Sequence, residues 1–283
     1  MEVLNTILDT DPNYIIIGLL AFFFTMEQFA ENPFQFNQRG KHLFQNILFQ
    51  LVFFGINLFF FSILVYLIER LNAREIGFLY LVELPFWVKL FLSVILYDFA
   101  TYWLHRASHK IPLLWRLHRV HHSDTTMDSS TTFRFHPVEL AIVYQAGNII
   151  AAGIFGLDVT SLALYYFIVY IFFFLEHSNL NYPNWLNHTL GLVFVMPDHH
   201  RVHHHKEQFY TDSNFADIFI LWDRFFGTFK LIPVNQMQYG LTEFEEEKKQ
   251  SFLYLMKSPF INIDRMKSEK PKKPKSTDGA EGG

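Results

Sequence analysis

The chain has 283 residues, of which 51% are hydrophobic, including 34 phenylalanines and 13 tyrosines. A soluble domain averages ~45–50% apolar residues even with glycine counted, so this excess, gathered in long runs, points to a membrane protein. A formal net charge of −4 and the lack of any nucleic-acid-binding motif argue against nucleic acid as a partner, and the absence of cysteine excludes disulfides, cysteine-ligated zinc, iron–sulfur clusters and catalytic thiols. Any redox chemistry here needs electrons from another protein or domain.

The segment MEVLNTILDTDPNY has no Lys or Arg. It lacks the basic start of a cleaved signal peptide, so the first apolar run, Tyr14 to Ala30, reads as a retained span. It carries Glu27 and Gln28 near its end and is the weakest of five runs. Leu43 to Ile68 and Pro85 to Leu104 easily reach the ~20 residues that cross ~30 Å of hydrocarbon. Val138 to Phe155 and Leu157 to Leu175 are joined at Gly156 and Asp158 and read as a hairpin that dips in and returns. Trp185 to Met196 and Phe215 to Lys230 mix aromatics with charge and suggest interfacial pieces. From Asp264 the chain is rich in Lys, Pro, Ser and Gly and reads as a disordered tail. The expected fold is an all-α integral membrane protein. It has four to five transmembrane or re-entrant helices and a cytoplasmic histidine-rich helical cap. The expected division is 1–84 for N-terminal transmembrane helices, 85–232 for a catalytic region and 233–283 for a C-terminal extension.

Basic residues set the expected orientation. Arg106, Lys110, Arg116, Arg119 and Arg134 fall between the third and fourth runs, and more follow Glu176, ending in Lys267, Lys270, Lys272, Lys273 and Lys275. This puts the histidine-bearing segments on the cytoplasmic face of a multi-pass protein, at the cell membrane if bacterial. Arg70 and Arg74, between the second and third runs, weigh slightly against it.

Ten of the 14 histidines sit in two short stretches. One holds His105, His109, His118, His121 and His122; the other holds His199, His200, His203, His204 and His205. Within them lie one H-x-x-x-H and two H-x-x-H-H boxes. Positions i, i+3 and i+4 share a helix face, so each box aims imidazoles at one point. Neutral imidazole suits Fe, Zn, Cu and Ni. Eight box histidines are too many for one ion, which implies a two-metal site. A single H-x-x-x-H pair reads most simply as a histidine-rich surface helix; three boxes on one membrane face do not.

Other positions are more open. Asp98, Tyr102, His105 and His109 form one helical stripe. A carboxylate in an apolar helix is expensive and tends to be functional, so Asp98 reads as a partner orienting a ligand histidine through its second ring nitrogen. The simpler alternative is a helix-packing carboxylate. His177, at the end of the fifth run, can reach the cluster. His136, in RFHPVE, either ligates or binds a carbonyl, with the latter slightly favoured. His199 points about 100° away from His200 on a helix and is a possible ligand. His205 fails the spacing, and His42 and His188 read as surface or interface residues. There is no H-E-x-x-H, no Glu-x-x-His pair set, no G-x-S-x-G and no dinucleotide-binding G-x-G-x-x-G.

The segments DFATYWLHRASHKIPLLWRLHRVHHSD, RFHPVE, PDHHRVHH and LWDRFFGTF resemble the fatty acid hydroxylase/sterol desaturase superfamily over roughly residues 90 to 230. HHRVHH with WDRFFGTF resembles its alkylglycerol monooxygenase branch, and RFHPVE its bacterial sterol desaturase branch. The resemblance implies a membrane di-iron enzyme that uses O2 as co-substrate and an external electron donor protein. It would hydroxylate or desaturate an apolar lipid drawn from the bilayer. The implied ligands are His105, His109, His118, His121, His122, His200, His203 and His204, with His177 as a ninth. Some hydroxylases of the family carry a further histidine where this chain has Asn181, which leaves His199, His136 or a water for a tenth position. The competing readings are a histidine-rich metal transporter and a membrane zinc hydrolase. A transporter places its ligands near mid-membrane in broken helices, whereas these boxes fall at span ends.

Overall fold

The computed structural model describes residues 12–31 and 38–263; the lysine-rich tail read from Asp264 onward lies outside them. Six longer helices make the frame. They are α1 (Pro12–Phe29), α2 (Arg39–Asn72), α3 (Phe86–Lys110), α4 (Pro112–His122), α5 (Gln145–Phe155) and α6 (Val159–His177). Shorter pieces follow, among them α7 (Pro197–His203), α8 (Leu221–Phe225) and α9 (Phe252–Lys257). Among the described residues β-pairing is limited to two isolated bridges.

Three helices, α2, α3 and α6, are long and apolar enough to cross a membrane. Leu58, Phe59 and Phe91 each expose more than 60% of their surface, the pattern expected where lipid rather than protein covers a side chain. At 34 residues, α2 is ~51 Å long, well beyond the ~30 Å hydrocarbon core. Its first turns carry polar side chains that grip loops. Asn46 donates to Ser130 Oγ at 2.9 Å, and Gln45 accepts from the Phe252 amide at 2.6 Å.

The fourth and fifth runs do form a hairpin. Gly156 ends α5 in the left-handed region at φ 77°, and Asp158 starts α6 by accepting from the Ser161 amide at 2.7 Å. The fourth run begins as a π-helical segment, Glu139–Tyr144, a wide turn often found at functional sites. The hairpin packs on the membrane frame through Leu64, Ile68, Val94, Tyr97, Ala152, Leu162 and Tyr165.

Two proline-initiated turns aim the histidine helices. Ile111 is extended at φ −91°, ψ 116°, and Pro112 opens α4, as the residue before proline requires. The chain therefore breaks directly after the last turn of α3 and folds α4 back over it. Met196 and Pro197 repeat the arrangement at the start of α7. Phe215–Ile220, read from sequence as interfacial, is instead largely core: Phe215, Ala216, Ile218 and Ile220 are buried with Tyr102 and Val195.

The chain past residue 233 is a packed part of the fold up to 263. Leu241, Phe244 and Leu255 join Trp115 and Val120 of α4 and Phe49 of α2. Arg116 donates to the Ile261 carbonyl at 2.9 Å, and Arg119 donates to those of Ser258 and Ile263.

Gly77 ties the α2–α3 connection to the hairpin. A Cβ there would lie 2.0 Å from the Gly156 backbone nitrogen, at a φ of +122°. Gly77→Ala is expected to cost about 2–4 kcal/mol through backbone strain and overpacking. Gly18→Ala, with open space around it, is expected to change little. Thermal unfolding of both variants in detergent checks this; equal midpoints would refute it.

Candidate metal centre

Nine histidines converge in two groups. His105, His109, His118, His122 and His203 form one, and His121, His177, His200 and His204 form the other; within each, the candidate ligand atoms lie within 4.8 Å of one another. All nine are buried. The groups adjoin, since the His122 and His204 rings stack at 4.6 Å between centroids and the His203 ring lies 5.3 Å from that of His200.

The boxes divide between the groups in a way their spacing did not reveal. Each i, i+4 pair stays together: His105 with His109, His118 with His122, and His200 with His204. The i+3 members, His121 and His203, cross to the other group. Each H-x-x-H-H box therefore serves both groups rather than one point. His177, at the end of α6, joins the second group.

The inward atoms are Nε2. His118 Nε2 lies 3.1 Å from both His105 Nε2 and His122 Nε2, and His200 Nε2 lies 2.9 Å from His177 Nε2 and 3.0 Å from His204 Nε2. The outward nitrogens decide the tautomers. His105 Nδ1 meets the Phe215 carbonyl at 2.8 Å, His203 Nδ1 that of Ser213 at 2.7 Å, and His177 Nδ1 that of Phe173 at 2.7 Å. A carbonyl can only accept, so these three rings carry their proton outside and point a lone pair inward. His203 Nε2 is buried without a hydrogen-bond partner. Such a donor set, with the far N–H held by a carbonyl or carboxylate, is what imidazole metal ligation requires. Carboxylates serve the same outer position elsewhere. Glu139 Oε1 lies 2.7 Å from His118 Nδ1 and Asp212 Oδ1 3.4 Å from His109 Nδ1, while Asp217 Oδ1 stands 3.8 Å from His105 Nδ1, behind its bond to the Phe215 carbonyl.

Burial keeps these rings neutral. It lowers His118 to about 3. Burial first, and then the neighbouring imidazoles, holds His121, His122, His200, His203 and His204 well below the usual histidine range.

The hydrogen bonds of the Asp98 carboxylate go to the 218–222 turn rather than to a histidine ring. Its Oδ1 accepts from the Ile218 amide at 3.0 Å, and its Oδ2 accepts from the Phe219 amide at 3.1 Å and Trp222 Nε1 at 2.8 Å. Asp98 lies two helical turns, ~10 Å along the axis, from His105, and its carboxylate serves the 218–222 turn. His136 and His199 stand outside both groups. His136 Nε2 meets the Met256 carbonyl at 3.2 Å while its Nδ1 accepts from the Val138 amide at 3.3 Å, which matches the carbonyl-binding alternative. His199 accepts from the Met196 amide at 3.2 Å and packs its ring 5.3 Å from Phe229, on the far side of α7. Asn181 uses its amide on the Glu31 carbonyl at 3.2 Å.

His42 is no simple surface residue. Its Nε2 lies 2.9 Å from both Asp124 oxygens and its Nδ1 3.4 Å from Asp128. Arg134, 1% exposed, donates to Ser123, Asn46 and Gln250 in the same network. These ion pairs join residues far apart in sequence, which no local spacing signals. Glu139 was missed although it closes the RFHPVE motif; its nearness to a proline turn in front of an apolar run was the available clue.

The comparisons with known proteins agree with this geometry. The fatty acid hydroxylase family model matches residues 90–228. Alkylglycerol monooxygenase of Xenopus tropicalis is 32% identical over 172 residues, covering 57% of this chain and 35% of that protein. The Caenorhabditis elegans alkylglycerol monooxygenase is 30% identical over 260 residues, covering 87% and 48%. The ornithine lipid hydroxylase OlsE of Rhizobium tropici is 27% identical over 191 residues, covering 66% and 56%. The chain thus spans about a third to a little over half of the length of these relatives, and no solved structure matches it. The family model spans all nine converging histidines, and with the similarity to these relatives it places the chain in the fatty acid hydroxylase superfamily.

Proposed function

We propose that this protein is an O2-dependent di-iron membrane enzyme that hydroxylates the alkyl chain of a lipid. The convergence of nine neutral imidazoles in two adjoining groups carries this reading. Two bound irons would supply O2 activation and oxidation of an unactivated C–H bond. His105, His109, His118, His122 and His203 would hold one iron, and His121, His177, His200 and His204 the other. The chain's own contribution is to aim lone pairs inward, keep the rings unprotonated and exclude water. The buried Phe215 and Trp115 rings against the histidines, with Tyr102 packed behind Phe215, serve that exclusion.

The names of several relatives favour hydroxylation over desaturation, since they are a monooxygenase and two hydroxylases, beside an aldehyde decarbonylase. Alkylglycerol, ornithine lipid and fatty acid share a long alkyl chain carrying a polar group, and such a chain reaches the site from the bilayer. Electrons come from a separate donor protein, because the chain has no cysteine for a cluster. In this reading 85–232 is the catalytic region and the site faces the cytoplasm. The ligands cluster at the ends of α3 and α6 rather than in mid-helix breaks, which does not favour a transporter.

Anaerobic purification and elemental analysis are expected to give one iron per histidine group, two per chain. Turnover of an alkylglycerol or ornithine lipid should need O2 and a reductant and add one oxygen to the product. One zinc, or metal flux into liposomes, would overturn the reading.

His203→Ala should weaken metal retention roughly 10-fold or more, whereas His136→Ala should leave the stoichiometry unchanged. Loss of metal in both variants, or in neither, would refute the assignment.

Depressed histidine pKa values also predict an acid-labile metal-free protein. As pH falls below 6.5 the unfolded chain takes up protons that the buried rings, held well below that value, refuse, His118 until about 3. Stability is then present at neutral pH and lost progressively through that window. Thermal melts of the metal-free protein at stepped pH test the slope; a flat profile would contradict it.

A further inference from the structure

Two buried glutamates stand behind ligand rings without a cation of their own. Glu139 is 1% exposed, its Oε1 lies 2.7 Å from His118 Nδ1, and its Oε2 has no hydrogen-bond partner. Glu176 is fully buried, with Oε1 3.6 Å from His200 Nδ1 and neither oxygen hydrogen-bonded. Among the described residues no Lys or Arg pairs with either one. A buried carboxylate with no cation is strongly disfavoured, and here two occur, each behind one ring.

The placement is ordered. His118 belongs to the first histidine group and His200 to the second, so each group has one glutamate. Both glutamates face Nδ1, the nitrogen turned away from the cluster, and each of those rings aims Nε2 inward at 2.9–3.1 Å from its neighbours. The first π-helical turn delivers Glu139. Glu176 precedes His177 on α6, about 100° around the helix. One helix end thereby supplies a ligand to the second group and a carboxylate behind a different ligand of that group.

We propose that Glu139 and Glu176 are paired positioning residues, one per metal, that hold His118 and His200 with Nε2 inward and balance the charge of cations bound by neutral imidazoles. The missing cation partner of each glutamate is then the metal on the other side of the ring. A carboxylate on Nδ1–H also makes Nε2 a stronger donor. The proposal rests on the two-metal reading above.

The test compares Glu139→Gln and Glu176→Gln with wild type. It measures iron content and affinity by chelator competition, the Mössbauer spectrum, and the melting temperature of the metal-free protein. Each variant is expected to lose roughly 10–100-fold in affinity at one iron while keeping the other. The two variants should perturb different quadrupole doublets, and their metal-free forms should melt no lower than wild type. A merely structural role would lower the metal-free melting temperature and affect both irons alike. Glu139→Asp and Glu176→Asp, which keep the charge, should retain more iron than the glutamine variants. Wild-type affinity at both irons in the glutamine variants, or a lowered metal-free melting temperature with equal loss of both irons, would overturn the proposal while leaving the two-metal reading intact. A wild type that binds no metal would remove that reading and this proposal with it.

Discussion

Imidazole nitrogens face each other at about 3 Å in the pairs His105–His118 and His177–His200, and where both present a lone pair they repel unless a cation lies between them. The fold has to hold nine such rings in place and keep water out. In a metal-binding reading, the repulsion and desolvation are offset by coordination, so that site assembly and folding stability are linked. The short α4 and α7, the prolines that start them and the ends of α3 and α6 are all organised by this demand.

A second set of buried carboxylates holds the backing of that site. Asp223 accepts from the Phe215 and Ala216 amides at 2.9 Å each and from Thr228 Oγ1 at 2.6 Å. Asp98 takes the amides of Ile218 and Phe219. The strip between them presents the Phe215 carbonyl and Asp217 to His105, and the adjoining Ser213 carbonyl serves His203. The LWDRFFGTF segment thus matters for what it immobilises. Glu27 does similar work at the end of α1, where its carboxylate takes the amides of Ser129 and Asn179 at 2.9 and 2.8 Å and pairs with Arg39 at 3.0 Å. It anchors the chain just past His177.

Much of the site was legible in one dimension. Helical periodicity limits which side chains share a face, so H-x-x-x-H and H-x-x-H-H announce converging rings. The five apolar runs and the Gly156 hairpin follow from length and backbone freedom in the same way. The eight box histidines and His177 all lie in the two groups, because each sits within about a turn and a half of a helix end and the Ile111–Pro112 and Met196–Pro197 breaks are local signals that set two of those ends.

Other features depend on contacts between distant segments, and local pattern carries no record of them. Asp98 looked like a histidine partner because the stripe counts residues along one helix; its real partners lie 120 residues or more away, on another loop. His42 looked isolated because Asp124 is 82 residues distant. Sequence by itself determined that this is a helical membrane chain with two converging sets of imidazoles, since composition and spacing are local physics. Tertiary structure alone decided how the rings divide into five and four, which nitrogen of each faces inward and which carboxylate stands behind it. Those depend on how helices dock and on which distant donors and acceptors must be satisfied once water is gone.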